Sequence, residues 1–239
     1  MFLLDKLELL ALTPPGWGSV LLHGLANSLA VAGGGFFLGL LIGVVGAFGK
    51  LYGGPFIRDL LACYTTIIRA VPELVLIVLF FYAGSDIVNH CLVSFGYDPI
   101  DINGMIAGIG VIGIVQGAYS TEVLRGAIKA IPPGQIEAGR SYGMPPILLL
   151  RHITLPAMLP YAIPGLSNLW LIATKDTALL AVVGFTELTM ATRQAGAATR
   201  EYFLFFIAAG LLYLAVTLLS NAGIRILERR AYAGMPDVG

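Results

Sequence analysis

Glu137 to Pro156 reads EAGRSYGMPPILLLRHITLP, and in this passage the polar and apolar parts of the chain meet. It follows Pro132-Pro133, contains Gly143, and turns apolar after Pro145-Pro146. Glycine takes the left-handed conformation that ends a helix, and proline suits the first turn of the next one. The pattern predicts a helix of two to three turns around 134–142, a sharp turn, and a second helix entering a hydrophobic run. A helix that short is marginal in water by propensity alone, so it needs a surface to pack on.

Working outward, the chain is nearly all apolar. It has 239 residues, of which 57% are hydrophobic and 12% charged; a soluble domain carries about twice that charged share. Stretches 9–49, 102–121, 152–174 and 202–224 hold no Asp, Glu, Lys or Arg. Each is long enough for a span of about 20 apolar residues. The expectation is an all-α integral membrane protein with one domain. Its zero net charge gives no general attraction to nucleic acid. Cys63 and Cys91 set no disulfide framework, and His23, His90 and His152 are scattered without ligand spacing. No metal site and no nucleophile with its base are expected. Residues 1–18 lack the basic start of a secretory signal, being interrupted by Asp5, Lys6 and Glu8, and read as an interfacial segment ended by Pro14-Pro15.

Five spans are expected, within 19–48, 60–82, 104–124, 152–174 and 202–224. The first carries Gly35, Gly39 and Gly43 at four-residue steps and the third carries Gly113 and Gly117. Such spacing lets helix backbones approach closely in a membrane. Lys50 is placed in a turn at 49–59. Gly49-Lys50 hints at a phosphate loop, but Val44 and Leu51 stand where that motif needs glycine and Ser/Thr. Prolines 156, 160 and 164 are expected to kink the fourth span, the apolar piece 177–185 is too short to cross, and 186–201 reads as polar connection. Segments 49–59, 125–151 and 225–239 carry nine of the fourteen basic residues: Lys50, Arg58, Arg125, Lys129, Arg140, Arg151, Arg225, Arg229 and Arg230. The positive-inside bias then places them in the cytoplasm, with the N-terminus periplasmic and the C-terminus cytoplasmic.

With 137–156 on that side, the passage resembles the EAA loop of ABC-importer permeases, which runs E-A-A, three residues, G, nine residues, I, one residue, L-P. Glu137, Ala138, Gly143, Ile153, Leu155 and Pro156 fall in register, and Gly139 replaces the second alanine. The likeness extends along the chain. Thr65-Thr66-Ile67-Ile68-Arg69-Ala70-Val71-Pro72-Glu73-Leu74, Gly117 through Gly126, and Lys175-Asp176-Thr177-Ala178-Leu179 resemble signatures of the polar amino-acid branch. Within it the sequence is most similar to the Q-type permease subunit of histidine/lysine/arginine/ornithine systems, with opine permeases close behind. The resemblance implies a type I importer permease of the bacterial inner membrane, with a permease domain over 19–226 and a cytoplasmic tail over 227–239. It implies a short cytoplasmic coupling helix, a second homologous permease favouring a heterodimer, an ATPase dimer and an extracytoplasmic amino-acid-binding protein. No cofactor is bound by this chain, ATP with magnesium being used by the partner ATPases, and no catalytic residue is expected.

The residues expected to carry function follow. Glu137, Ala138, Gly139, Arg140 and Gly143 would couple to the ATPase, with Ala138 and Gly139 letting the helix sit close to that partner. Intramembrane charge is costly and marks function. Arg69 and Glu73, four apart, would share a helix face; with Lys175 and Asp176 they are the substrate-pathway candidates, Glu73 and Asp176 supplying the carboxylates a cationic amino acid needs. Glu122 and Arg125 read as a structural or gating pair. Tyr82, Tyr97, Trp170 and Tyr202 read as interface anchors. The rival reading is an ion-coupled secondary amino-acid transporter using Glu73 or Glu122, against which the absence of an inverted repeat speaks.

Overall fold

A computed structural model describes residues 8–100 and 102–232. Residues 1–7 of the expected interfacial segment and 233–239 of the expected tail lie outside them. The order is α1 (Gly18–Tyr52), α2 (Pro55–Ala70), α3 (Glu73–Ser94), α4 (Gly104–Lys129), α5 (Pro133–Ser141) and α6 (Pro146–Leu149). A π-helical turn (Leu150–Thr154) then leads into α7 (Leu155–Asp176) and a 3₁₀ segment (Thr177–Val183), followed by α8 (Leu188–Thr199) and α9 (Tyr202–Tyr232). Five helical stretches are long and apolar enough to cross a membrane: α1, α3, α4, the run Pro146–Val183, and α9.

The bundle is built on α1 and α4, the most extensively packed pair of helices. Their seam is lined by the glycines that the four-residue steps marked. A Cβ on Gly39 would come within 2.7 Å of the Gln116 Cβ, and one on Gly35 equally near the Ile112 Cγ2. From the other side, Gly113 and Gly117 accept the Leu38 and Ile42 side chains. Around this seam Val31, Ile77, Val111, Ile112, Ala173 and Leu180 form one buried cluster. Ala47, Leu124, Ala127, Ile128, Met158 and Ala162 form another toward the α5 end. α9 is held by one edge through Phe205 and Ala209, leaving Phe203, Leu211, Leu218 and Leu219 outward.

Several expectations are corrected. The second span is not 60–82. The chain breaks at Val71-Pro72, where Val71 is extended (φ −94, ψ 138), because the proline ring disfavours helical backbone at the preceding residue. What results is an amphipathic helix, α2, followed by a crossing-length helix, α3, which runs twelve residues past the expected end at 82. Lys50 is not in a turn: α1 continues to Tyr52. The stretch 186–201 is not an irregular connection but contains α8, whose N-terminus Glu187 caps by accepting from the Thr189 and Met190 N–H groups. The piece 177–185 extends α7 as a 3₁₀ segment and ends at Gly184, which is left-handed at φ 84. Trp170, read as an interface anchor, meets Phe36 edge-on and donates to the Ser220 Oγ at 3.0 Å.

The prolines of the fourth span leave their mark without stopping it. Just before Pro156, the Leu155 N–H reaches back to the Leu150 oxygen, the widened π turn that often marks a disturbance in a helix. Pro160 and Pro164 both lie inside α7. Pro164 has no N–H for the Pro160 oxygen, and the Tyr232 hydroxyl donates to that oxygen instead, at 3.1 Å. The end of α9 is thereby tied to α7.

Overpacking a close seam costs about 1–3 kcal/mol per site. Gly39→Leu should therefore lower the melting temperature of the detergent-purified protein by several degrees. Gly33→Ala, which has open space around it, should leave it unchanged, and equal behaviour of the two variants would contradict the seam.

Candidate functional site

Three groups of polar side chains stand out, and the first is the corner formed by α5 and the π turn. α5 spans Pro133–Ser141 with proline in its first turn. Gly143 follows at φ 72, a left-handed backbone that glycine adopts at no steric cost. Glu137, Ala138, Arg140 and Gly143 are exposed, whereas Gly139 is buried. A Cβ on Gly139 would come within 2.5 Å of both the Ile153 Cδ1 and the Leu149 Cδ1. The smallness of Gly139 therefore serves close packing within this chain, which corrects the expectation that it serves a partner. Ile136 packs inward on the same side, and a cavity of about 350 Å³ lined by Phe48, Tyr52, Ile136, Arg140, Ile147 and Leu150 opens beside the corner.

The second group lies beside the seam, where α3, α4 and α7 meet. Asp176 is buried and accepts from the Gln116 Nε2 at 3.3 Å. Glu73, the first residue of α3, lies near enough to influence both the Asp176 carboxyl and the Tyr119 hydroxyl. Arg69 stands over the Tyr119 ring, 5.9 Å from its centroid, close enough for cation–π attraction. Arg69 and Glu73 do not share a helix face as expected, because the Val71-Pro72 break puts them on different helices. They are not ion-paired among the described residues, but converge on Tyr119. Lys175 and Asp176 also part ways: Lys175 is exposed while Asp176 points inward. The buried Gln116 Oε1 and Ser120 Oγ have no protein partner among the described residues.

The third group sits toward the α5 end. Arg125 donates to the Glu122 Oε2 through Nη2 at 2.6 Å and Nε at 3.0 Å. Lys50 reaches the other oxygen, Oε1, at 2.6 Å and donates to the Thr65 Oγ1 at 2.8 Å. The pair expected from spacing on one helix is thus a cluster joining α1, α2 and α4.

Sequence reasoning missed Glu187 altogether. It is fully buried, and its carboxyl accepts from the Thr189 and Met190 N–H groups, both at 2.8 Å, from the Tyr213 hydroxyl at 3.0 Å and from the Ser28 Oγ at 3.3 Å. The Ser28 Oγ in turn accepts from the Leu188 N–H. The local signal was present: an acidic residue directly before Leu188 suits a helix N-terminus.

Comparison with known proteins extends these findings. Residues 19–232 match the family of binding-protein-dependent transport system inner membrane components. The chain is 41% identical to the histidine/lysine/arginine/ornithine transport system permease protein of Salmonella typhimurium, over 92% of this chain and 96% of that one. It is 37% identical to the octopine transport system permease protein of Rhizobium radiobacter, over 97% and 98%. Among solved structures, an amino acid ABC transporter with histidines aligns at TM-score 0.76 and 29% identity, covering 90% of this chain and 95% of that one. An inward-facing methionine ABC transporter shares the fold at TM-score 0.68.

Removing the Glu187 carboxyl leaves two backbone N–H groups and two hydroxyls without their acceptor in the interior. Lost bonds of this kind cost roughly 2 kcal/mol or more together. Glu187→Ala should melt well below the unaltered protein, with Glu187→Gln between them because its amide oxygen still accepts. Equal melting of all three would remove the capping role.

Proposed function

This chain belongs to the family of binding-protein-dependent transport system inner membrane components, and from that premise we propose that it is the permease subunit of an ATP-driven importer of basic amino acids or opines. The observation that carries the substrate class is the 37–41% identity to permeases named for octopine and for histidine/lysine/arginine/ornithine, over nearly the whole length of both chains. The buried Asp176 beside Glu73 supports it, since a cationic side chain crossing an apolar bundle needs carboxyl or carbonyl oxygens to replace water. In this reading Glu73 and Asp176 receive the cationic group, while Arg69 and Lys175 flank the route. Family membership leaves the ion-coupled rival without support.

The permease acts by alternating access and makes no bonds itself. ATP and magnesium work in a partner ATPase dimer, a binding protein delivers the substrate from outside, and a second homologous permease completes the pathway as a heterodimer. The permease domain covers 19–226. The N-terminus lies in the periplasm and the α5 corner, with the basic residues around it, in the cytoplasm. There α5 is the coupling helix: Glu137, Ala138 and Arg140 face the ATPase, and Gly143 sets the turn. Gly139 closes α5 onto Leu149 and Ile153, so a push on α5 passes into the π turn and α7. Glu122 and Arg125 hold the inner end of α4 as a gating pair.

Two measurements test this. Glu137→Lys and Gly143→Phe should insert normally but hydrolyse ATP without uptake in proteoliposomes containing all partners; wild-type uptake by both would remove α5 from coupling. Asp176→Asn and Glu73→Gln should each lower arginine uptake at least tenfold while leaving assembly with the ATPase intact. Unchanged arginine uptake in both would refute the carboxyl route.

A further inference from the structure

α2 (Pro55–Ala70) is a lightly anchored helix of the bundle. It buries only Thr65 and Ile68 and is bounded by extended backbone on both sides, at Gly53-Gly54 and at Val71-Pro72. Neither the Gly-Gly-Pro entry nor the proline exit continues a helix, so α2 can tilt as a unit. Its polar ties to the body are few. The Tyr64 hydroxyl donates to the Ile114 oxygen at 2.5 Å. The Thr65 Oγ1 accepts from Lys50 and lies 3.5 Å from the Glu122 Oε1. Lys50 and Glu122 are themselves largely enclosed, with side chains 12% and 16% exposed. Stripping either partner from such a pair strands a charge where water is scarce.

Thr65 and Arg69 are four apart on α2 and therefore lie on one face. The clamp at Thr65 thus fixes the helix turn that carries Arg69 over Tyr119, and with it the position of the Val71-Pro72 joint that precedes Glu73. We propose that Lys50 and Thr65 are positioning residues for the substrate pathway: by clamping α2 onto Glu122 they hold Arg69 over Tyr119 and set where α3 begins. The proposal rests on the reading of Arg69 and Glu73 as pathway residues. It links the cluster near the α5 end to the carboxyl site through one movable helix. A change at either place is passed to the other by the tilt of α2.

α2 carries its own reporter, the exposed Cys63, and the other cysteine of the chain, Cys91, is exposed on α3. In a Cys91→Ser background, Lys50→Met, Thr65→Val and the conservative Lys50→Arg would be compared in the complete transporter, reconstituted with its binding protein. Maleimide labelling of Cys63 in this chain reads the clamp, and arginine uptake reads the positioning. Lys50→Met and Thr65→Val should change the Cys63 labelling rate at least threefold. They should also lower maximal uptake about fivefold, at an unchanged half-saturating concentration of loaded binding protein. Lys50→Arg should restore both. Unchanged Cys63 labelling in both Lys50→Met and Thr65→Val would overturn the clamp, and so would failure of Lys50→Arg to restore it. Altered labelling with normal uptake would overturn the positioning role. The labelling does not depend on what is transported, so an unaltered complex that fails to take up arginine would overturn the substrate reading separately.

Discussion

The seam between α1 and α4 is the contact on which the remaining helices depend. Between transmembrane helices apolar burial supplies little driving force, because lipid tails are as apolar as leucine; packing and hydrogen bonds must do the work. Glycine at Gly35, Gly39 and Gly43 brings the two backbones together and lets dispersion act over a long, close interface. That closeness has a consequence for polar groups. Gln116 and Ser120 are held against glycines of α1 and fully buried. Gln116 thus presents its amide to Asp176 from a fixed position.

The polar groups of the bundle are satisfied in three different ways. Glu122 is met by two cations, Lys50 from α1 and Arg125 one turn away on its own helix. Among the described residues no cation bonds to Glu187; backbone N–H groups and hydroxyls fill its acceptor sites. Asp176 has one amide donor and another carboxyl for company. The first two arrangements are closed, each oxygen already served by the protein. The third is open: two acidic groups lie near each other, and of the described side chains one amide donates to Asp176. This difference, more than burial alone, separates the closed carboxyl sites from the open one.

Much of this was legible in the sequence where the signal is local. The glycine steps predicted the seam, and Gly143 predicted a left-handed turn that the backbone adopts. The 137–156 register predicted a short helix before a long apolar one. What failed were features decided by distant partners. Nothing near Glu187 announces Ser28 or Tyr213, which lie 159 and 26 residues away. Lys50 looked like a basic turn residue because its carboxylate is 72 residues further on. The Val71-Pro72 break was misjudged for another reason. Proline inside an apolar run is compatible both with a kinked span, as at Pro160 and Pro164, and with the end of a helix. At Pro160 and Pro164 flanking elements keep the run helical, and a hydroxyl replaces a missing N–H. At Pro72 the preceding residue turns extended instead.

Gly139 sharpens the meaning of the α5 corner. A short polar helix needs a surface, and from sequence Ala138 and Gly139 are assigned to a partner. The structure supplies part from the chain itself, because Ile136 and Gly139 lie against the helices on either side of the turn. α5 is therefore held in place by its own chain, with Pro133, Gly134, Gln135, Glu137, Ala138, Arg140 and Ser141 left exposed. A preorganised helix loses less conformational entropy on binding than one that folds on contact. It also transmits displacement, since Leu149 and Ile153 cannot stay in place if Gly139 moves toward them. The substitution of glycine for the second alanine of the motif thus tightens the joint between α5 and the span that follows. What lowers helix propensity at that position lets the corner pack closely.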